Sequence, residues 1–214
     1  MKLSVGLEEK LLQSIDTLRK SNLRKLADAR IKEFKEINRE SSSEIFQELC
    51  FCILTANFKA EKCIKIQKEI GEEFLTLSEE DLAKKLADIG HRFPNARANY
   101  ISESVKYIKS LKEIINSPND KNLREWLVKN IKGLGYKEAS HFLRNIGFED
   151  YAIIDFHIVD ILVRHNLVKK PKVLTKRRYL EIESILKEIA RKSNLNLSEL
   201  DLYLWYIETN KILK

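Results

Sequence analysis

The sequence predicts an all-α protein, and three observations predict it. Glycine and proline together make up 9 of 214 residues, roughly a third of the ordinary share, while the helix-favouring Leu, Ile, Lys and Glu are abundant. Apolar residues recur at helical spacing nearly throughout. With 43% hydrophobic residues, a chain of this length buries roughly 70% of its unfolded surface, so disorder is excluded as its main state.

Taken in chain order, Leu7, Leu11, Leu12, Ile15 and Leu18 make the first apolar stripe, and Leu26, Ile31, Phe34 and Ile37 the second. Both are read as core faces. The segment Glu44 to Asn57 is apolar nearly all round (Ile45, Phe46, Leu49, Phe51, Ile53, Leu54). That pattern predicts a central helix buried on several sides and ending at Thr55, Ala56 and Asn57. Ser78 ahead of Asp81, and Ser198 ahead of Asp201, each place a capping hydroxyl three residues before a carboxylate, so a helix is expected to start at both points. Pro94, the Ser117-Pro118 pair and Pro171 punctuate the chain, because proline removes a hydrogen bond and clashes within a helix. There is no internal repeat and no low-complexity run.

The chain carries 39 Lys and Arg against 32 Asp and Glu, a formal charge of +7. Residues 1–120 hold 21 basic and 20 acidic side chains, residues 121–214 hold 18 and 12, so the positive excess belongs to the C-terminal part. Such asymmetry marks a surface that faces a polyanion. Lys169 to Arg178 is the one concentrated basic stretch, either a solvated loop or a phosphate contact. The longest uncharged run, Leu49 to Phe58, is ten residues against the roughly 20 a membrane-spanning helix needs. Glu8, Glu9 and Asp16 interrupt the first twenty residues, which therefore lack the core of a signal peptide. A cytoplasmic, nucleoid-associated protein without membrane contact is expected. Cys50, Cys52 and Cys63 are read as buried free thiols, and no Cys or His array has the spacing of a zinc or iron–sulfur site.

From Asn119 to Ile146 the pattern changes. Leu123, Trp126, Leu127 and Ile131 make one stripe, Ala139, Phe142, Leu143 and Ile146 another, and Lys132-Gly133-Leu134-Gly135-Tyr136 lies between them. Two of the six glycines thus fall where the chain must turn sharply, a helix-hairpin-helix signature. A glycine hairpin that opens a helix points unpaired backbone N–H groups outward at the positive end of the dipole and lets a phosphate approach closely. It grips backbone and not sequence, and a plain helical connection has the same outline. Lys137 falls in the first turn of the second helix, where a lysine does nothing for stability, since lysine is favoured at the opposite end. Surface chance and nucleophilic catalysis both account for it. Eighteen residues on, Asp155 follows the apolar run Ala152-Ile153-Ile154 and precedes a new amphipathic helix. It reads as an N-cap, and also as a carboxylate that faces the same cleft.

Together, Ile131-Lys132-Gly133-Leu134-Gly135-Tyr136-Lys137-Glu138-Ala139 and Ile154-Asp155-Phe156-His157-Ile158 resemble the hairpin and aspartate elements of the helix-hairpin-helix DNA glycosylase superfamily. Ile53 to Asn57 resembles the helix end that approaches DNA opposite the damaged nucleotide. With His91-Arg92-Phe93-Pro94 and Asp201 to Lys214, the resemblance covers most of the chain and is nearest to the compact class of 8-oxoguanine DNA glycosylase/lyases. Lys132 stands where a proline is common, and Ala152-Ile153-Ile154 replaces a Gly/Pro-rich stretch. The four-cysteine cluster of endonuclease III relatives is missing.

The resemblance implies two helical lobes, residues 1–42 with 136–214 and residues 43–135, the hairpin region 119–147 spanning their junction and a DNA cleft between them. It implies excision of 8-oxoguanine from duplex DNA, with Lys137 as Schiff-base nucleophile, Asp155 as its electrostatic and acid/base partner, and strand nicking by β-elimination. Gly133, Leu134 and Gly135 would bind DNA backbone. Phe93, Trp205 and Lys214 would form the base pocket, and Asn57 would sit near the vacated space. No cofactor and no side-chain metal site are implied, although the carbonyls of Lys129, Ile131 and Leu134 would suit a structural monovalent cation. The expected partner is double-stranded DNA carrying 8-oxoguanine or abasic sites, bound by a monomer. Three other readings stay open: a related lyase for another damaged base, a non-catalytic hairpin module that only holds DNA, and a helical scaffold with no nucleic-acid role.

Overall fold

The computed structural model describes residues 2–117 and 123–214, with side chains from residue 6 onward. Pro118 and Asn119, both used in the sequence reading, lie outside the described residues. Among those residues the chain is helical and contains no strand, as predicted. Its helices are α1 (Lys2–Arg19), α2 (Leu23–Ile37), α3 (Ser42–Thr55), α4 (Ala60–Ile70), α5 (Glu79–Asp88), α6 (Pro94–Ser104), α7 (Ile108–Ile115), α8 (Leu123–Asn130), α9 (Tyr136–Asn145), α10 (Phe156–Arg164), α11 (Lys176–Lys192) and α12 (Leu197–Thr209). No helix is long and apolar enough to cross a membrane, among the described residues.

The chain divides into two compact units, Met1–Lys35 with Gly147–Lys214, and Glu36–Ile146. The first division falls inside the last turn of α2, and the second falls just after α9, so the hairpin and both of its helices belong to Glu36–Ile146.

That unit is built on α3. Ser41 caps the helix, and Glu44 reaches back to the Ser41 N–H, the reciprocal pairing that satisfies two donors at a helix start. Ten of the fourteen residues are buried, and α4, α6, α7 and α9 pack around them. The three cysteines are buried and unbridged, as the sequence suggested. Ser78 caps α5 through the Asp81 N–H, also as expected.

In the other unit α12 packs against α1, α10 and α11. Leu23, Ala27, Phe34, Leu202 and Tyr203 form a buried cluster. Gly147 has φ +90° and comes so close to α2 that a Cβ there would sit 3.0 Å from the Lys35 Cα, so no larger residue fits without moving backbone. Two expectations need correction. Leu26 is 60% exposed, because Leu23, Ala27 and Phe34 already complete the inward face of α2. The start of α12 is capped by Asn196, whose side chain accepts the Glu199 N–H at 2.8 Å. Ser198 is already inside the first turn and buried. Among the described residues, four helix ends close with an asparagine at positive φ, namely Asn57, Asn166, Asn194 and Asn210, a role usually taken by glycine.

The two α2 positions should therefore respond very differently to substitution. Phe34→Ala is expected to cost about 3–5 kcal/mol in denaturant unfolding, whereas Leu26→Lys should stay within about 0.5 kcal/mol of the natural protein.

Candidate active site

The hairpin turn occupies residues 131–135. Ile131 and Leu134 are buried and pin it to the core, which is why Ile131, read as part of the first helix stripe, stays inward although it lies just beyond α8. Gly133 has φ +82°, and a Cβ there would meet the Tyr100 ring at 2.4 Å. Conformation and close approach both demand glycine here. Gly135 precedes α9, and its N–H donates to Glu138 Oε2 at 3.2 Å. Tyr136 donates its hydroxyl to Glu125, and the Arg124 guanidinium lies 5.1 Å from the Tyr136 ring, so side chains as well as packing join α8 to α9.

Lys137 stands in the first turn of α9 with its side chain one quarter exposed. Its Nζ lies 3.5 Å from Glu138 Oε1, so one carboxylate holds both the Gly135 N–H and the amine. Burial pushes the Cys63 thiol up to about 12 even though the charges of Lys137 and Arg97 act against that. The thiol near the amine therefore stays protonated and is no competing nucleophile. Lys132 is ion-paired with Glu103, which holds the ammonium above its usual range.

The carbonyls of Lys129 and Leu134 receive no backbone hydrogen bond, among the described residues, and that of Ile131 receives only a 3.4 Å contact from the Leu134 N–H. Such an undersatisfied set fits a monovalent cation.

Asn57 is exposed at the left-handed end of α3. Two side chains that the sequence reading gave no role fix that end. His91 Nε2 lies 3.1 Å from the Leu54 carbonyl, while His91 Nδ1 accepts the Phe93 N–H at 3.1 Å. Arg97, 7% exposed, donates to the Ala56 carbonyl. These bonds satisfy carbonyls that a helix end leaves open, and they tie Asn57 to the start of α6. Phe93 precedes Pro94 there, half-buried, with the guanidinium carbons of Arg92 and Arg97 at 5.0 and 5.6 Å from its ring centre. A buried histidine three residues before the proline was the available sequence signal.

Asp155, Trp205 and Lys214 belong to the other unit. Asp155 caps α10 as predicted, its Oδ1 accepting the Ile158 N–H at 3.0 Å, and the carboxylate makes no further hydrogen bond, among the described residues. Trp205 meets the His157 ring edge to face at 5.1 Å, and His157 Nδ1 lies 3.8 Å from Glu208 Oε1. The helix that Asp155 caps thus touches the helix that carries Trp205. Lys214 is half-buried. Phe156, next to Asp155, is 69% exposed. The basic stretch Lys169 to Arg178 is a loop only as far as Thr175, which caps α11 through the Arg178 N–H. Its last three residues open that helix, where Arg177 and Arg178 pair with Glu181.

With this geometry in hand, the chain matches the model of the family described as 8-oxoguanine DNA glycosylase over residues 27–195. It is 54% identical over 206 residues to the 8-oxoguanine DNA glycosylase/AP lyase of Korarchaeum cryptofilum, covering 95% of this chain and 98% of that one. It is likewise 54% identical over 206 residues to the protein of the same name from Methanocaldococcus jannaschii, with 95% and 99% covered. The crystal structure of the M. jannaschii glycosylase/lyase in complex with a 15mer DNA containing 8-oxoguanine aligns with TM-score 0.93 at 51% identity, covering 96% of this chain and 100% of that one.

Gly133→Ala is expected to destabilise the fold by about 1–3 kcal/mol, since it adds left-handed strain to the clash. Tyr100→Ala in the same chain should relieve the clash and restore only part of the loss, as read from denaturant midpoints. Burial pushes the His91 imidazole below its ordinary range, and Arg97 acts in the same direction against the pull of the Leu54 carbonyl. The unfolded chain therefore takes up a proton near pH 6.5 that the folded chain refuses until lower pH, so this contribution to stability is complete above about pH 6.5 and declines as pH falls below it. His91→Gln should flatten that acid-side decline in thermal midpoint.

Proposed function

The chain belongs to the 8-oxoguanine DNA glycosylase family, and on that premise we propose that it is a bifunctional glycosylase/AP lyase that removes 8-oxoguanine from duplex DNA and nicks the strand. The observation that carries this reading is the placement of Lys137: a partly exposed amine in the first turn of α9, immediately after a turn that only glycine can make at residue 133. The Gly133–Gly135 turn grips phosphate and Lys137 acts on the sugar beside it.

The lesion leaves the stack to be reached, at a cost of about a few kcal/mol that stacking in a pocket offsets. Phe93 and Trp205 offer aromatic faces for stacking on the base, Lys214 contacts the base, and Asn57 enters the vacated space. As the bond between the base and the sugar C1′ breaks, its electron pair leaves with the base, and the Asp155 carboxylate stabilises the positive charge that grows on the sugar. The Lys137 nitrogen forms the new bond to C1′ and loses a proton. Ring opening yields a Schiff base, whose positive nitrogen draws electrons so that a C2′ proton departs and the 3′ phosphate is expelled. One Asp155 oxygen stays engaged at the helix cap, leaving the other for this work. The carbonyls of Lys129, Ile131 and Leu134 would hold a monovalent cation, which supplies a positive charge beside phosphate when bound. The protein works as a monomer.

Borohydride trapping on a duplex with one 8-oxoguanine tests this reading. A covalent adduct should form with the natural protein, vanish with Lys137→Gln, and be absent on undamaged duplex. Asp155→Asn should lower excision by about 100-fold or more, since it removes the charge that opposes the sugar cation. Tight binding without any adduct would instead mark a non-catalytic hairpin module, and an adduct confined to a different lesion would mark a related lyase.

A further inference from the structure

Residues 151–155 form neither helix nor strand, and Ala152, Ile153 and Ile154 are buried. Buried backbone groups must find partners, and no neighbouring strand offers any among the described residues. Two side chains of α11 do so. Tyr179 donates its hydroxyl to the Ala152 carbonyl at 2.6 Å and accepts the Ile154 N–H at 3.2 Å. Glu183 Oε2 accepts the Ala152 N–H at 3.1 Å. The two residues lie four apart on one helix face, with exposures of 2% and 5%, and together they offer this segment the acceptor, donor, acceptor sequence that a paired strand would.

We infer that Tyr179 is a positioning residue for Asp155, fixing the peptide directly ahead of the carboxylate, with Glu183 as the second tether. The inference rests on the role given to Asp155 above. Asp155 is then held from both sides: behind it the Tyr179 hydroxyl locks the Ile154 N–H, and ahead of it its own Oδ1 is bound to the Ile158 N–H. Only a group that donates and accepts at once can serve both the Ala152 carbonyl and the Ile154 N–H, and phenylalanine would leave both buried without a partner. A carboxylate that must meet a developing charge loses much of its effect when displaced by about 1 Å.

The test compares the natural protein, Tyr179→Phe, Glu183→Gln and Asp155→Asn in three measurements: single-turnover excision of 8-oxoguanine, duplex affinity, and borohydride trapping on a preformed abasic site. Tyr179→Phe is expected to slow excision about tenfold while affinity stays near that of the natural protein and trapping falls much less than excision. That profile is a weakened form of the one Asp155→Asn gives. Glu183→Gln keeps an acceptor but loses the charge that strengthens the bond, so a smaller loss with the same profile is expected, and it carries the test if Tyr179→Phe does not fold. Unchanged excision, or an equal fall in all three measurements that follows the folded fraction, overturns the inference and leaves the functional reading intact. A natural protein that leaves 8-oxoguanine in place overturns both.

Discussion

Helix α3 has no face to give to water, and the unit that carries the hairpin follows from that constraint. Its buried positions include Phe46, Phe51 and Cys52 on different sides, so other helices must cover it all round. Taking such a helix out of water is worth about 1.5–3 kcal/mol for each large apolar side chain, far more than any surface ion pair in the molecule. Helix α9, which bears the amine, is one of the covering helices, and its Ala139, Phe142 and Leu143 are fully buried. Lys137 therefore stands on an element that cannot shift without opening the core.

The same unit shows how functional ends are fixed once the helices are packed. A helix that stops inside a protein leaves open carbonyls, and here His91 and Arg97 reach them from α6 and the turn before it. Glu138 does the corresponding work for the hairpin by taking the Gly135 N–H. In the other unit the non-helical run before Asp155 is served by Tyr179 and Glu183. In each case a polar side chain meets backbone, and in each case the backbone belongs to a segment next to a residue that we propose takes part in the chemistry. Rigid placement of a site by such bonds is what allows a few groups to act together without reorganising.

Much of this was legible in the sequence. The helices, the central position of α3, the hairpin, the caps at Ser78 and Asp155 and the state of the cysteines all follow from spacing and residue type. What escaped has two causes: competition among near neighbours that spacing alone does not rank, and partners distant in the chain. Leu26 belongs by spacing to an apolar stripe, yet Leu23 and Ala27 already fill the space inward of it. Ser198 looks like a cap, but Asn196 with Glu199 forms a complete reciprocal pair two residues earlier. The bond from Tyr179 to Ala152 spans 27 residues, and that from Arg97 to Ala56 spans 41, distances over which spacing rules say nothing. One sign of them is nevertheless present, since Glu183 interrupts the stripe of Tyr179, Ile182, Leu186 and Ile189 on α11, and a carboxylate inside an apolar stripe needs a donor.

The asparagines at the left-handed helix ends bear on the scarcity of glycine. A glycine at each of those four ends would adopt the same angles with less strain, but it would also widen the range of conformations open to the unfolded chain. Asparagine accepts a small penalty in the folded state and leaves the denatured ensemble narrower, so less disorder is surrendered when the helices assemble. Six glycines in 214 residues thus describe a polypeptide whose resistance to unfolding is set in part before it folds, by how few shapes its connections can take. The glycines kept at 133 and 147 are those where a neighbouring ring or backbone leaves no room for any side chain.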